Sequence, residues 1–94
     1  MTKPAVDRIR YSWQPFGDQT REARPDLITT IPGIGYARVF RIAHGPDRGA
    51  WQWVASTWDM QEIGGTEASS RAAAAAAEKV LDGFQRILDL RRDR

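Results

Sequence analysis

The residues of this 94-residue sequence that could do catalysis form no recognisable arrangement. His44 is the only histidine, and Gly45 and Pro46 follow it at the end of a predicted strand. No nucleophile or orienting acid stands at a useful spacing from it, so we interpret it as a turn residue. Glu62 and Glu67 fall in different predicted elements, which argues against a pair of catalytic carboxylates. The sequence therefore predicts a protein that is not an enzyme.

Metal and cofactor sites are not predicted either. One histidine, no cysteine and scattered carboxylates make no recognisable ligand set. The turn sequence GPDRG at residues 45–49 lacks the lysine and the glycine spacing of a phosphate-binding loop. Gly33 and Gly35 form a Gly-x-Gly pair, but the dinucleotide fingerprint needs a strand before it and a helix after it. Because a strand follows here, we interpret both glycines as turn residues.

Tryptophans and arginines are the residue types that indicate binding. Twelve of the fourteen cationic residues are arginine, and the formal net charge is only +2. A nucleic-acid-binding sheet would use side chains that stack on bases and neutralise phosphates. The candidates for that alternative are Arg38, Arg41, Arg48, Trp51 and Trp53. It requires the two tryptophans to face away from the helix that packs on the sheet.

That helix is predicted over residues 66–90. At 100° per residue, one side is apolar and the other is charged or polar. The apolar side holds Ala73, Ala76, Ala77, Val80, Leu81, Phe84, Ile87 and Leu88, and the polar side holds Glu78, Lys79, Asp82, Gln85, Arg86 and Asp89. Thr66 is the predicted N-cap and Glu67 a favourable first-turn charge, with Ser69 and Ser70 also in the start region. Ala72, Ala74, Gly83 and Leu90 widen the weakly polar arc to roughly 200°, which indicates a second contact surface.

The alanine half of the apolar side leaves space that a bulky group must fill, because protein interiors are densely packed. Trp51, Trp53 and Trp58 lie just upstream and are the candidates to fill it. Because buried aromatic side chains dominate core energetics, we predict that Trp51 and Trp53 face the helix.

The strands are predicted from alternation and from turn residues. Residues 36–44 and 50–57 form an antiparallel hairpin, and residues 60–65 form a third strand that ends at two glycines. Residues 7–13 are a short strand or extended arm stopped by Pro15. Residues 17–25 are a loop, and residues 26–35 are an extended lead-in. The fold class is therefore α+β: a three-stranded antiparallel sheet, with a fourth N-terminal strand left open, packed on one face by a single long C-terminal helix. Residues 1–33 form an arm and loop that is partly mobile, and residues 34–94 form the β-β-β-α domain.

One helix leaves the other face of the sheet uncovered. That face is predicted to carry Gln52, Val54 and Ser56 from one strand and Ala37, Val39 and Arg41 from the other. Ile9, Tyr11 and Trp13 could cover it, from the same chain or from a partner. Val39, Val54 and Gly83 are the candidate residues for self-association. The preferred prediction is a small noncatalytic interaction module with an unknown protein partner or a second copy as its ligand.

The expected location is the cytoplasm. The absence of cysteine suits a reducing compartment, and the N-terminal residues lack the apolar core of a signal peptide. No stretch approaches the ~20 apolar residues that a membrane span needs, so no membrane partner is expected.

The Trp51-Gln52-Trp53 strand, the Gly65-Thr66 and Ser69 helix start and the alanine-rich helix resemble small uncharacterised bacterial and phage-type proteins with strands followed by one helix. Residues 36–90 are also weakly similar to AP2-type domains and to the arm-binding domains of phage integrases. That resemblance implies duplex recognition by the sheet. This sequence departs from it through Asp47, Asp59 and Glu62, which place negative charge among the strands and loops.

Overall fold

Five antiparallel strands and one C-terminal helix build the part of the chain that the structure, a computed structural model, describes, namely residues 9–15 and 26–92. The elements are β1 (Gln14–Pro15), β2 (Asp26–Ile31), β3 (Gly35–Arg41), β4 (Trp51–Thr57), β5 (Glu62–Glu67) and α1 (Ser70–Arg92). The strands pair in chain order, so the sheet is a simple meander. The predicted α+β class, with an antiparallel sheet and one C-terminal helix, is confirmed, but the sheet has five strands.

The hairpin of β3 and β4 is confirmed close to its predicted bounds. Beyond Arg41 the ladder continues through hydrogen bonds between Ile42 and Ala50 at 2.9 Å and between Gly49 and Ile42 at 3.0 Å. Gly45 and Gly49 both have positive φ, the conformation that glycine adopts without steric cost.

Residues 26–31 form a full strand, which differs from the predicted lead-in. The signal for it is Pro32 followed by Gly33, whose φ of +79° is that of the third position of a type II turn. The Ile34 amide donates to the Ile31 carbonyl at 3.0 Å and closes this turn. The sheet therefore extends into the segment predicted as arm and loop.

Strand β5 continues past the glycines that were predicted to end it. A Cβ on Gly65 would lie 3.0 Å from Nε1 of Trp53, so the glycine makes room for this indole within the strand. Thr66 and Glu67 pair with Gln52 and Trp51, and the prediction that they start the helix is wrong. Ser69 is the N-cap instead, because its hydroxyl oxygen accepts a hydrogen bond from the Ala72 amide at 3.1 Å.

The core lies between α1 and strands β3 to β5. Trp53, only 8% exposed, packs in one cluster with Ala37, Val39, Ala55 and the helix residues Ala73, Ala74, Ala77 and Leu81. The predicted packing of tryptophan over alanine is confirmed for Trp53, and Trp51 packs at the edge of the same cluster. Trp58, the third candidate to fill this space, is 56% exposed and lies elsewhere.

The faces of β3 are the reverse of the prediction. Ala37 pairs with Ala55 and Val39 with Trp53, and directly paired residues share one face of a sheet. Ala37 and Val39 are fully buried under the helix, so their placement on the outer face is wrong. Odd-numbered strand positions therefore face the helix, and even-numbered ones, including Gln52, Val54 and Ser56, lie on the outer face. Ala37 thus lies on the same face as Trp53, whereas its bulky neighbours Tyr36 and Arg38 lie on the outer face.

Residues 9–13 lie on the helix side of the sheet, not over its outer face as predicted. They form no strand, and only Gln14 and Pro15 pair with β2. Ile9, Tyr11 and Trp13 pack against the core beside the helix. Residues 7 and 8 and the predicted loop 17–25 lie outside the described residues.

Candidate functional site

The arm of residues 9–13 is held by a carboxylate that the sequence pattern assigned to the polar side of the helix. Glu78 is fully buried and accepts hydrogen bonds from the backbone amides of Arg10 and Tyr11, both at 2.9 Å. It also accepts a hydrogen bond from Nε1 of Trp13 at 3.0 Å. The helix therefore has a second contact surface, but it is centred on a buried acid of the side predicted to be polar and not on the predicted Gly83 side.

Asp82, one turn after Glu78, completes the arm contact. It accepts hydrogen bonds from the Arg10 guanidinium and the Tyr11 hydroxyl. Burial alone would raise the pKa of Asp82, but these hydrogen bonds outweigh it and hold that pKa below its ordinary value. Burial, reinforced by the hydrogen bond to Asp82, raises the pKa of Tyr11. The donors of this cluster come from the arm and the acceptors from α1, so the cluster joins the arm to the helix and serves the fold.

The outer face of the sheet is lined by Tyr36, Phe40 and Val54, all half-buried. Arg38 donates to Asp26 at 2.7 Å, and its guanidinium carbon lies 5.3 Å from the centre of the Phe40 ring. This face is therefore partly covered by its own ion pair.

The five nucleic-acid candidates do not form one exposed surface. Trp53 is buried in the core, and Trp51 and Arg41 are paired on the helix side of the sheet. Arg38 lies on the opposite face, and Arg48 is exposed in the turn between β3 and β4. The stacking surface on which the nucleic-acid alternative depends is therefore not formed by these side chains.

The self-association candidates are also separated. Val39 is fully buried and offers no surface to a second copy, so its proposed role in self-association is wrong. Val54 lies on the outer face, as predicted. A Cβ on Gly83 would meet no atom of the described residues within 4 Å, so none of the described elements approaches the helix closely there.

An open groove of about 640 Å³ lies at the end of the sheet where β2 turns into β3 and β4 into β5. Its walls come from those two turns and from the C-terminal half of α1. They consist of Gly33, Ile34, Thr57, Trp58, Asp59, Gln61, Phe84, Ile87 and Leu88. At about 1.5 Å per residue the 23-residue helix is roughly 34 Å long, whereas a seven-residue strand spans roughly 23 Å. The helix therefore extends beyond the sheet, and none of the described strands covers Ile87 and Leu90, which are both exposed.

The turn between β4 and β5 has an unusual composition. Met60 has a φ of +74° and is 78% exposed, although this conformation favours glycine or asparagine. Hydrogen bonds from the Met60 amide to the Thr57 carbonyl at 3.0 Å and from the Thr57 amide to the Gln61 carbonyl at 2.9 Å fix the turn. The Gln61 amide also donates to the Thr57 hydroxyl at 3.0 Å. The turn thus holds a large apolar side chain in water at a conformational cost.

Trp58 is fixed at the mouth of the groove. Its ring lies 5.8 Å from that of Tyr36, centre to centre, and its amide donates to the Ile34 carbonyl at 3.2 Å. The indole is therefore both exposed and oriented.

Five large apolar side chains are exposed in the described part of the chain, and two of them, Trp58 and Ile87, line this groove. Each lines the groove or lies within two residues of a residue that does. They are Trp58, Met60, Ile63, Ile87 and Leu90, and we call them the apolar patch. Sequence reasoning missed this site: Ile87 was assigned to the buried helix face and Trp58 to the core. Its signal is the sequence TWDMQ, because two large apolar residues are rare in a turn dominated by polar types.

The described residues form neither a metal site nor a membrane-spanning helix. Within residues 9–15 and 26–92, no group of three or more histidine, cysteine or acidic side chains could hold a metal ion. No helix in the same ranges is long and apolar enough to cross a membrane. No family model matches this chain, and no curated protein or solved structure shows significant similarity to it.

Proposed function

We propose that this protein is a noncatalytic interaction module that binds a protein partner through the apolar patch and the groove beside it. The observation that carries the proposal is an open groove whose walls include Trp58 and Ile87, both more than half exposed, with three further exposed apolar residues within two sequence positions of lining residues. Exposed apolar patches rimmed by polar residues are typical of interaction sites.

The construction of the turn supports a built binding surface. Tryptophan and methionine are enriched in protein interfaces, and Trp58 is already oriented by Tyr36, so little side-chain entropy is lost on binding. The strained backbone at Met60 places an apolar side chain where a glycine would fit better. Strain of this kind concentrates at functional sites.

The polar groups at the rim of the groove support binding over chemistry. The Thr57 hydroxyl donates to Asp59 and accepts from the Gln61 amide, so these groups serve the geometry of the turn. The remaining walls, from Ile34, Phe84 and Leu88, are apolar. Such a surface suits burial against another apolar surface.

The test is the fluorescence of the apolar dye 8-anilinonaphthalene-1-sulfonate at about 1 μM protein, with the bound residues mapped by amide chemical shifts in heteronuclear NMR. We expect dye binding, shifts confined to residues 57–63 and 84–90, and loss of most of the signal in Trp58→Ser and Ile87→Ser. The control is Arg48→Ser, an exposed change in the β3–β4 turn. A folded protein that binds no dye, or binds it equally well in the variants, contradicts the proposal.

A further inference from the structure

We infer that the partner of the apolar patch is a second copy of this chain, related by a two-fold axis at the groove end of the molecule. In this arrangement the β4–β5 turn of each copy packs on the groove and the C-terminal half of α1 of the other. The inference rests on the proposed function and names its ligand.

Shape is the first argument. The same end of the molecule carries a recess, the groove, and projecting side chains, Trp58 and Met60, that its own groove does not enclose. A two-fold axis brings the projection of each copy to the recess of the other, so that every contact occurs twice. A surface with both parts at one end is therefore complementary to itself.

Area is the second argument. At about 200 Å² for a large apolar side chain, the exposed fractions of the patch amount to roughly 600 Å². A standard interface buries about 800 Å² on each partner, of which roughly 65% is apolar in homodimers. Complete burial of these five side chains would supply the apolar part of a dimer of ordinary size.

Charge is the third argument, and it fixes the orientation. Residues 57–62 contain Asp59 and Glu62 and no cation, whereas residues 86–92 contain three arginines and one aspartate. A contact between the turn of one copy and the helix end of the other joins opposite charges. A contact of turn with turn would place Asp59 and Glu62 against their own copies, which is repulsive.

Self-association through the exposed edge of β5 is disfavoured by the same logic in the register that pairs the whole strand. A symmetric antiparallel pairing centred between Gly64 and Gly65 places Glu62 of one copy opposite Glu67 of the other. Like charges directly opposite each other destabilise a strand pair. The groove end, which joins opposite charges, therefore fits a second copy better than this pairing of strand edges.

The first experiment is sedimentation equilibrium of the whole chain from about 1 to 500 μM. We expect a monomer–dimer equilibrium in the wild type and a monomer throughout for Ile87→Glu, which adds an acid where the acidic turn must dock. The control is Gln85→Glu, which adds the same charge to an exposed position about 200° away around the helix. It should dimerise like the wild type.

The second experiment tests the orientation by charge reversal. Glu62→Lys and Arg86→Glu, both at exposed positions, should each weaken the homodimer about tenfold because the changed contact occurs twice. In an equimolar mixture of the two variants, both contacts of the heterodimer are again between opposite charges. The mixture should recover the affinity of the wild type, which a folding defect would not allow.

The outcomes separate the two proposals. A wild type that stays monomeric at 500 μM while its patch still binds the dye overturns the second copy as partner and leaves a different protein as the ligand. A monomer that binds no dye overturns both proposals. A dimer that survives Ile87→Glu, or a variant mixture that does not recover, overturns the arrangement about the groove.

Discussion

Nε1 of Trp13 donates a hydrogen bond to a carboxylate oxygen of Glu78 at 3.0 Å, across 65 residues of sequence. The acceptor is a fully buried acid, and the backbone amides of Arg10 and Tyr11 share it. A buried carboxylate is stable only when its oxygens are hydrogen-bonded. This pair therefore explains why the arm lies beside the helix and not on the outer face of the sheet.

Replacing Glu78 tests this anchor. We expect Glu78→Ala to lower the free energy of unfolding by about 2–4 kcal/mol, because three donors lose a charged acceptor. The measurements are urea unfolding and amide hydrogen exchange, in which the Arg10 and Tyr11 amides should lose their protection. Glu67→Ala is the control, since among the described residues Glu67 accepts one long side-chain hydrogen bond, from Trp53 at 3.4 Å. Unchanged protection of the two amides would contradict the assignment.

The arm contact also predicts a pH dependence of stability. The folded-state pKa of Asp82 is lowered, so its contribution is present above the ordinary value of 3.8 and is lost as the pH falls through the lower folded value. The pKa of Tyr11 is raised, so its contribution is complete below the ordinary value of 10.0 and is lost as the pH rises above it. Urea unfolding across pH should show both losses. Asp82→Asn should flatten the acidic one, and Tyr11→Phe the alkaline one.

Two glycines should respond to alanine in opposite directions. Gly83→Ala, in an open stretch of helix, should raise the free energy of unfolding by about 1 kcal/mol, the difference in helix propensity. Gly65→Ala should lower it by about 1–3 kcal/mol, because the new Cβ meets the buried indole of Trp53. Thermal unfolding of the two variants beside the wild type is sufficient. A loss of stability in Gly83→Ala would mean that another group lies against that side of the helix.

Met60 should show a conflict between stability and binding. Met60→Gly relieves the positive φ and is expected to stabilise the chain by up to about 1 kcal/mol, less the backbone entropy that glycine loses on folding. The same change should weaken dimer formation, because it removes an exposed apolar side chain from the patch. Urea unfolding and sedimentation equilibrium measure the two effects. A glycine variant that is less stable and dimerises normally would show that Met60 serves the fold alone.

The periodicity of the sequence predicts the helix, the β3–β4 hairpin and the packing of Trp53 over alanine, because each depends on local pattern and on volume. It does not predict the face that Ala37 and Val39 occupy, since alternation defines two sets of residues and only strand register decides which set is buried. Glu78 was placed on the polar side because its partners are 65 to 68 residues away and leave no local signal. Sequence reasoning misses the apolar patch for a related reason. The patch forms because the helix extends past the sheet, and this depends on the lengths of the elements. The observed bounds of those elements differ from the predicted ones by several residues.

The contact between the arm and the helix has a consequence for the order of folding. Neighbouring strands of the meander close short loops, whereas the arm meets α1 only across most of the sequence, and such distant contacts are slow to form. The sheet and helix can therefore assemble early, and the arm docks onto a surface that already exists. Residues 9–13 therefore act as an intramolecular ligand of the helix. A separate peptide of this sequence should compete with them for the same surface of α1.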